Sequence, residues 1–443
     1  MMGRMLGRLS RHPREGILFP LLDGLLLVAA AVLAHYVRFN PVDRVAHFAR
    51  LLEHPGLAVT GVLGIWLVAT AAELYQRAHL LPGERLLRVC FAALAWGVLL
   101  ALATYLVPTW KFGRGLLLGT TTGWALGALG VRAAWNRWLR GQPKPRALVV
   151  GKEEELGSLL ALDRHPACPW QLTPVAPEQL PEALASGETA LVAVANPGAM
   201  AEQLVALHFS GVPVVTAAEL LAFVEGRLPV SFLLPEAFLH QREFGGIHWE
   251  VFNRTTRVVD VVVSLVLLLL TLPLLALSAL AVWVWDGRPV FYRQVRLGQF
   301  GRPFVLWKLR TMKADAEVNG PEFAGEDDPR VTKLGRILRR LRLDELPQLF
   351  NVLVGDMSLV GPRPERPEFV RELAKQIPYY TFRLAVPPGL TGWAQVNMPY
   401  ARTVEEHQRK LEFDLYFIRE RSFSLYLLIL LRTVSAAILG VRG

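Results

Sequence analysis

The residues best equipped for chemistry lie in one run, Arg336 to Glu365, which reads RILRRLRLDELPQLFNVLVGDMSLVGPRPE. It holds three clustered arginines (Arg336, Arg339 and Arg340), the adjacent carboxylates Asp344 and Glu345, and a Gly361-Pro362-Arg363-Pro364 turn. Leu334, Ile337, Leu338 and Leu341 keep a helical spacing, which predicts an apolar face with the three arginines opposite it. Pro347 falls within the first turn of a following helix, and Glu345 precedes Gln348 by the capping-box interval. Both carboxylates are therefore expected at a helix N-terminus, held ionised and with depressed pKa values by peptide dipoles and nearby guanidiniums. An ionised carboxylate can act as a nucleophile, and arginines around it can take up the charge of a phosphate. A capped helix beside a solvated arginine row is the plain structural alternative. Against it stands the turn-rich segment from Gly355 to Pro364, which can aim a planar guanidinium at a phosphate.

Two more stretches flank this run: FYRQVRLGQFGRPFVLWKLRTM before it and PPGLTGWAQVN after it. With LDELPQLFNVLVGDMSLVGPRPE between them, the chain from about Asn253 to its C-terminus resembles the bacterial sugar transferases, the monotopic polyprenol-phosphate phosphoglycosyl transferases. The resemblance implies transfer of a sugar 1-phosphate from a UDP-sugar to polyprenol (undecaprenyl) phosphate through a covalent aspartyl intermediate, with UMP released. It implies that Asp344 is the nucleophile and Glu345 its dyad partner, which helps with a metal or activates the lipid phosphate. Two anionic reactants need charge neutralisation, for which a Mg²⁺ held by Asp344 and Glu345 is expected. The resemblance implies a phosphate contact from Arg363, with Lys308 and Arg339 as basic residues near the site, and it places Gln395 and Asn397 in the family's TGWAQVN motif as substrate contacts. Arg310 and Arg340, close to Lys308 and Arg339 in the chain, are further candidates for phosphate. Two positions depart from the family pattern. Pro387 stands where many members carry Lys or Arg before Pro-Gly, and Leu272 stands where the family places Ser before Pro273.

The elements that must position these residues begin in a membrane-like context. The chain has 443 residues, 52% of them hydrophobic, and a formal net charge of +10. That balance suits an anionic membrane face; no nucleic-acid-binding module accompanies it. Cys90 and Cys168 give neither a disulfide framework nor a CxxC metal site, and the histidines lack HExxH spacing. Four apolar segments, Ile17 to Val37, Gly56 to Leu74, Leu86 to Val107 and Gly115 to Ala134, each approach the ~20 residues of a membrane-crossing helix. Arg4, Arg8, Arg11 and Arg14 precede the first, Arg77, Arg85 and Arg88 lie between the second and third, and Arg132, Arg137, Arg140, Lys144 and Arg146 follow or end the fourth. The positive-inside rule then puts the N-terminus and everything after Lys144 on the cytoplasmic side. Asp23 lies inside the first segment, where it either bonds to a neighbouring helix or sits near the interface.

From Gly141 the pattern changes. Ala147 to Val150, Leu191 to Ala195 and Val212 to Thr216 read as buried strands separated by helical segments, the alternation of a small parallel α/β domain ending near Leu234. Gly151 is followed by Lys152-Glu153-Glu154 instead of a second glycine, so the dinucleotide fingerprint is absent. A structural or regulatory role is expected, subunit contact in a homodimer included, with nucleotide binding as the alternative.

Val258 to Trp285 is a nearly unbroken apolar run with Pro273 inside it. Arg254 and Arg257 lie before it and Arg288, Arg293 and Arg296 after it, so both ends favour the same side. A helix broken at Leu272-Pro273 that enters the bilayer and returns satisfies this, as the family resemblance also implies; a kinked spanning helix is the alternative. Beyond it, Val290 to Arg293 and Phe304 to Trp307 read as strands, Ala314 to Asp328 as an acidic loop, Pro367 to Ile377 and Val404 to Arg419 as helices, and Pro388 to Thr391 as a tight turn. Phe423 to Leu439, interrupted by Arg432, reads as an interfacial or packed helix.

The expected architecture is thus a multi-domain membrane protein. It has a four-helix transmembrane domain (1–140), a Rossmann-like α/β domain (141–250) and an α+β catalytic domain (251–443) with a re-entrant helix at 258–285. The expected location is the bacterial inner membrane, with the catalytic domain on its cytoplasmic face. Two other functions compete: a non-catalytic scaffold for polysaccharide assembly, and a nucleotide-sugar dehydratase or epimerase, which would need the missing fingerprint.

Overall fold

The structure, a computed structural model, describes residues 15–40, 43–45, 49, 55–72, 74–75, 82–107, 113–233, 247–313, 315–316 and 328–439. Arg4, Arg8, Arg11, Arg14 and Arg77 and most of the acidic Ala314 to Asp328 loop lie outside them. The chain divides into two units, Met1–Glu225 and Gly226–Gly443.

The first unit opens with α1 (Glu15–Arg38), α2 (Pro55–Ala71), α3 (Pro82–Leu106) and α4 (Arg114–Arg140). All four apolar segments are helical, and they pack around a core of Leu27, Ile65, Trp96, Trp124 and Ala128. Within this unit, Ile17–Arg38 and Arg88–Leu106 are long and apolar enough to cross a membrane. Helix α2 has 17 residues, and α4 carries Arg132 and Arg137 into its last turns. The α1–α4 contact is made by glycines at every fourth residue of α4. A Cβ at Gly119, Gly123 or Gly127 would lie 2.9–3.0 Å from side-chain atoms of Ala34, Ala30 or Leu26, so these glycines admit the close helix approach seen in membrane bundles. The spacing was present in the sequence as G-x-x-x-G.

Asp23 is the buried end of an ion pair. Arg132 donates to both its carboxylate oxygens, at 2.9 and 2.7 Å, across the α1–α4 contact, and neither side chain is more than 5% exposed. Of the two readings open to Asp23, the structure selects the bond to a neighbouring helix. Arg85 and Arg88 are buried too and donate to the carbonyls of Arg132 and Ala72. Removing one partner of a buried pair leaves the other uncompensated. Asp23→Asn is therefore expected to destabilise the detergent-solubilised protein by about 3 kcal/mol, whereas Asp23→Leu combined with Arg132→Met restores most of the loss; thermal unfolding followed by circular dichroism reads both.

The rest of the first unit is a four-stranded parallel sheet, order β2-β1-β3-β4, made of β1 (Arg146–Val150), β2 (Gln171–Val175), β3 (Leu191–Val194) and β4 (Val214–Thr216). Helices α5 (Glu153–Leu160), α6 (Leu180–Ala185), α7 (Ala201–Phe209) and α8 (Ala217–Glu225) connect and flank the strands. Three strands match the apolar runs of the sequence. The fourth, β2, was hidden because only Leu172 and Val175 are buried, with Thr173 and Pro174 between them, so the sequence shows neither an apolar run nor an alternation.

The second unit begins with residues that pack on its own C-terminal helices: Leu228 N–H donates to Glu412 O at 2.9 Å, and Arg227 pairs with the Glu412 carboxylate at 2.6 Å. Helix α9 (Ile247–Trp285) follows, then the antiparallel hairpin β5 (Phe291–Leu297) and β6 (Pro303–Leu309). Next come α10 (Lys333–Arg340), α11 (Gln348–Val354), β7 (Ser358–Val360) and α12 (Pro367–Gln376). The chain closes with β8 (Gly389–Thr391), α13 (Trp393–Asn397), α14 (Val404–Arg419) and α15 (Phe423–Leu439). Thr403 caps α14 with a capping box to Glu406.

Two expectations change here. Helix α9 is not broken at Leu272-Pro273: it stays helical through both residues, and the proline inside it, which lacks an N–H, is where the helix can bend. The segment expected as a turn at Pro388 to Thr391 is instead the short strand β8, paired in parallel with β7 as Ser358↔Gly389 and Val360↔Thr391. Its partner lies some thirty residues upstream, beyond the reach of a local pattern.

Candidate active site

Helix α10 presents one surprise. Leu338 is buried, but Ile337 and Leu341, expected on the same inward face, are more than half exposed. Gly335 is the point of contact with the rest of the unit: a Cβ there would lie 2.1 Å from the Thr311 carbonyl oxygen. Thr332 caps α10 by accepting from Gly335 N–H and donates its hydroxyl to Asp286 Oδ2.

After α10 the chain reverses at Arg342, whose φ of 58° lies in the left-handed region, and enters a 3₁₀ turn, Leu343–Glu345, beside β6. The reversal carries both carboxylates inward. Glu345 Oε1 accepts from Lys308 Nζ of β6 at 3.2 Å and from Arg363 Nη2, past the end of β7, at 2.5 Å. Arg342 approaches its other oxygen at 3.7 Å. Three cations from three elements thus converge on one carboxylate, while Asp344, 6% exposed, stands beside them. Arg339 of α10, which donates to Thr311 Oγ1, adds its field at Asp344.

The two neighbours titrate in opposite directions. For Glu345, burial alone would raise the carboxyl, but Arg363, Lys308 and Arg342 outweigh it and hold the group far below the usual carboxylate range. Asp344 goes up, pushed first by burial and then by the charge of Glu345, against the pull of Lys308, Arg339 and Arg363. The expectation that both carboxylates are depressed therefore holds for Glu345 alone. The capping-box expectation fails as well: α11 has Pro347 at its N-cap with no side-chain cap bond, because the Glu345 carboxylate is engaged by cations.

The remaining sequence candidates are placed as follows. Arg310 is buried and donates to the carbonyls of Asp286 and Gly287 just past the end of α9, the second at 2.8 Å. Arg340 is exposed on α10. Gln395 donates to Leu390 O, and Asn397 bridges Trp393 O and Arg432, whose guanidinium also lies 4.9 Å from the Trp393 ring centre. Asn397 thus ties α13 to α15, and Gln395 ties it to β8. The backbone of the longer PPGLTGWAQVN stretch does something else: Gly361 N–H donates to Thr391 O and Gly389 N–H to Pro362 O, so β8 carries the turn that bears Arg363.

Arg342 and Asn351 were not singled out from the sequence. The first is signalled by its i, i+3 spacing to Glu345. Asn351 pins the edge of β6 two ways, accepting from Trp307 N–H at 3.2 Å and donating to Val305 O at 2.7 Å; nothing in the local sequence marks it.

Comparison with known proteins identifies the family of the second unit. Residues 251–440 match the family described as bacterial sugar transferase. An uncharacterized sugar transferase from Bacillus subtilis is 41% identical over 182 residues, which cover 84% of that protein and 40% of this chain. This chain belongs to the bacterial sugar transferase family. Another bacterial sugar transferase, the UDP-N-acetylgalactosamine-undecaprenyl-phosphate N-acetylgalactosaminephosphotransferase of Aeromonas hydrophila, is 35% identical over 230 residues, 52% of this chain and 53% of the relative. The UDP-glucose:undecaprenyl-phosphate glucose-1-phosphate transferase of Escherichia coli is 44% identical over 168 residues, 38% of this chain and 36% of the relative. The matches thus span about half of the first of these two relatives and about a third of the second.

Proposed function

We propose that this bacterial sugar transferase moves a sugar 1-phosphate from a UDP-sugar to undecaprenyl phosphate at the cytoplasmic face of the inner membrane, starting a polysaccharide. The observation that carries the proposal is the division of labour between the two carboxylates. Glu345 absorbs the ion pairs, which leaves the buried Asp344 carboxylate beside the same cations, available to attack. An Asp344 oxygen attacks the phosphorus that bears the sugar; the P–O bond to UMP breaks and UMP leaves with the electron pair. An oxygen of undecaprenyl phosphate then attacks the same phosphorus, the Asp344–phosphorus bond breaks, and the carboxylate is regenerated. Lys308, Arg363 and Arg339 offset the charge that two anionic reactants bring together.

A Mg²⁺ prefers one or two carboxylates plus phosphate oxygens and water. Asp344 would hold it with the phosphates of the substrate, where it would neutralise diphosphate charge, and Glu345 would join only on giving up Lys308 or Arg363.

Two features support a re-entrant placement of α9. Both of its ends are tied to the same unit, Arg257 donating to the carbonyls of Val352 and Leu353 at one end and Arg310 to those of Asp286 and Gly287 at the other. The segment between them, part of Phe252–Trp285, is long and apolar enough to cross a membrane. Ile337 and Leu341 on α10 and Phe350 and Val354 on α11 add exposed apolar pairs at helical spacing, suited to lying on a bilayer surface. The spans of α2 and α4 belong to the same proposal.

The test is release of nucleoside monophosphate from a panel of nucleotide sugars by the solubilised protein with Mg²⁺ and polyprenol phosphate. UMP release that depends on Asp344 is expected. No release from any donor would turn the reading toward the scaffold.

A further inference from the structure

The turn that presents Arg363 has an unusual backbone. Pro362 and Pro364 have no N–H, so the turn is held mainly through its carbonyls. Each of four consecutive carbonyls is taken by a donor from outside the turn. Pro362 O accepts from Gly389 N–H at 2.9 Å, Arg363 O from Arg383 Nη2 at 3.1 Å, Pro364 O from Arg296 Nη1 at 3.2 Å, and Glu365 O from Leu297 N–H at 3.0 Å. Three of these donors are ordinary strand neighbours or lie on the hairpin next to the turn. Arg383 is different, because it acts on Arg363 from deep inside the unit.

Arg383 comes from a 3₁₀ turn, Tyr380–Ala385, and its side chain is 2% exposed. Its guanidinium is fixed on every side. Nε and Nη2 donate to Asp414 Oδ2 at 3.1 and 2.8 Å, Nη1 donates to Tyr380 Oη at 3.3 Å, and Nη1 lies 3.5 Å from Glu365 Oε1. Lys410 closes the network on the same Glu365 oxygen at 2.5 Å. Burial would raise the Glu365 carboxyl, but Lys410 and Arg383 hold it down at about 2. Replacing a buried ionic network by well-packed apolar residues is often neutral or stabilising, so stability alone does not account for this arrangement. Its evident geometric result is the position of the Arg363 main chain, from which the guanidinium reaches Glu345.

We propose that Arg383 is a positioning residue for the anion-binding Arg363: clamped by Asp414, it fixes the Arg363 carbonyl and so sets where the Arg363 guanidinium meets the phosphate of an incoming substrate. The inference rests on the phosphate-binding role assigned to Arg363 above. A lysine cannot substitute, since a single ammonium does not reproduce the planar fork that spans Asp414 and the Arg363 carbonyl.

The test is a double-mutant cycle on the full solubilised chain, read as affinity for inorganic pyrophosphate by calorimetry in wild type, Arg383→Lys, Arg363→Lys and the double variant. If Arg383 acts through Arg363, each single variant loses about tenfold in affinity and the double variant loses no more than the worse single. Losses that multiply in the double variant would overturn the proposal, because a merely structural role acts independently of the residue at 363. Should Arg383→Lys fail to fold, Tyr380→Phe removes only the hydroxyl that holds Nη1. It is expected to weaken pyrophosphate binding about two- to threefold when Arg363 is present and not at all with Arg363→Lys, and an equal loss in both backgrounds overturns the proposal. Wild type that binds pyrophosphate but turns over no donor would sink the proposed reaction and leave this inference standing. Wild type that binds no pyrophosphate overturns the inference.

Discussion

Asp344→Asn is expected to reduce nucleoside monophosphate release by about a thousandfold or more, while the protein melts at the same temperature as wild type or slightly above it at neutral pH. The loss follows from the proposed mechanism: an amide is no nucleophile toward phosphorus, and without the carboxylate proposed to form the covalent intermediate only binding and charge neutralisation are left. The stability side follows from linkage. Because the folded-state pKa of Asp344 lies above its ordinary value, the fold disfavours the ionised carboxylate. The resulting penalty is fully present at pH above the folded pKa and is relieved as pH falls through it toward the unfolded value near about 3.9. Glu345 has the opposite sign. Its depressed pKa makes a stabilising contribution that is present above the ordinary glutamate value and lost as pH falls below it. Replacing Asp344 removes the first dependence and keeps the second, so the variant loses stability on acidification more steeply than wild type. A variant with near-normal turnover removes Asp344 from the reaction, and one that melts well below wild type overturns the stability argument.

How far the site was legible depended on the range of the interaction. The Asp344-Glu345 pair, the arginine helix and the Pro-Arg-Pro turn are contiguous in the chain, and the sequence exposes their chemistry directly. The parallel strands β1, β3 and β4 were legible because buried strands of a parallel sheet read as short apolar runs. The opposite pKa shifts of Asp344 and Glu345 were not legible. They depend on Lys308 and Arg363 arriving from β6 and from the end of β7, and on Glu345 taking up the ion pairs that adjacency alone would share between both carboxylates. Arg310 shows the converse error. Its place two residues after Lys308 suggests a second phosphate contact, but it lies past the end of β6 and caps the end of α9. The apolar face of α10 misled for a different reason. A period of 3.6 reveals which residues share a side, but not whether that side faces protein or lipid, and Ile337 and Leu341 are exposed.

The glycines of the PPGLTGWAQVN stretch and of the Pro-Arg-Pro turn are where a minimal substitution should do the most damage to the fold. A Cβ on Gly389 would lie 2.0 Å from Gly361 N, 2.3 Å from Thr391 O and 2.5 Å from Gly361 O. All three are backbone atoms, two of them partners in the Gly361 N–H to Thr391 O bond, so no side chain can swing aside. Overpacking in a core usually costs about 1–3 kcal/mol because neighbours shift; here the neighbours are the β7–β8 ladder itself, and Gly389→Ala is expected to exceed about 3 kcal/mol. Gly361 and Gly392 meet the same limit from the other side, with a Cβ 2.4 Å from Pro387 O and 2.2 Å from Gly361 O. Separating β8 from β7 would release Pro362 O, shift Arg363 away from Glu345 and free Lys308 to pair differently. Activity and stability should therefore fall together in Gly389→Ala, in contrast to Asp344→Asn, where they separate. Melting temperature and pyrophosphate affinity measured on the same preparation decide it: a Gly389→Ala protein that melts within a few degrees of wild type would mean that β8 yields, and that the turn bearing Arg363 is held by Arg383, Arg296 and Leu297 without it.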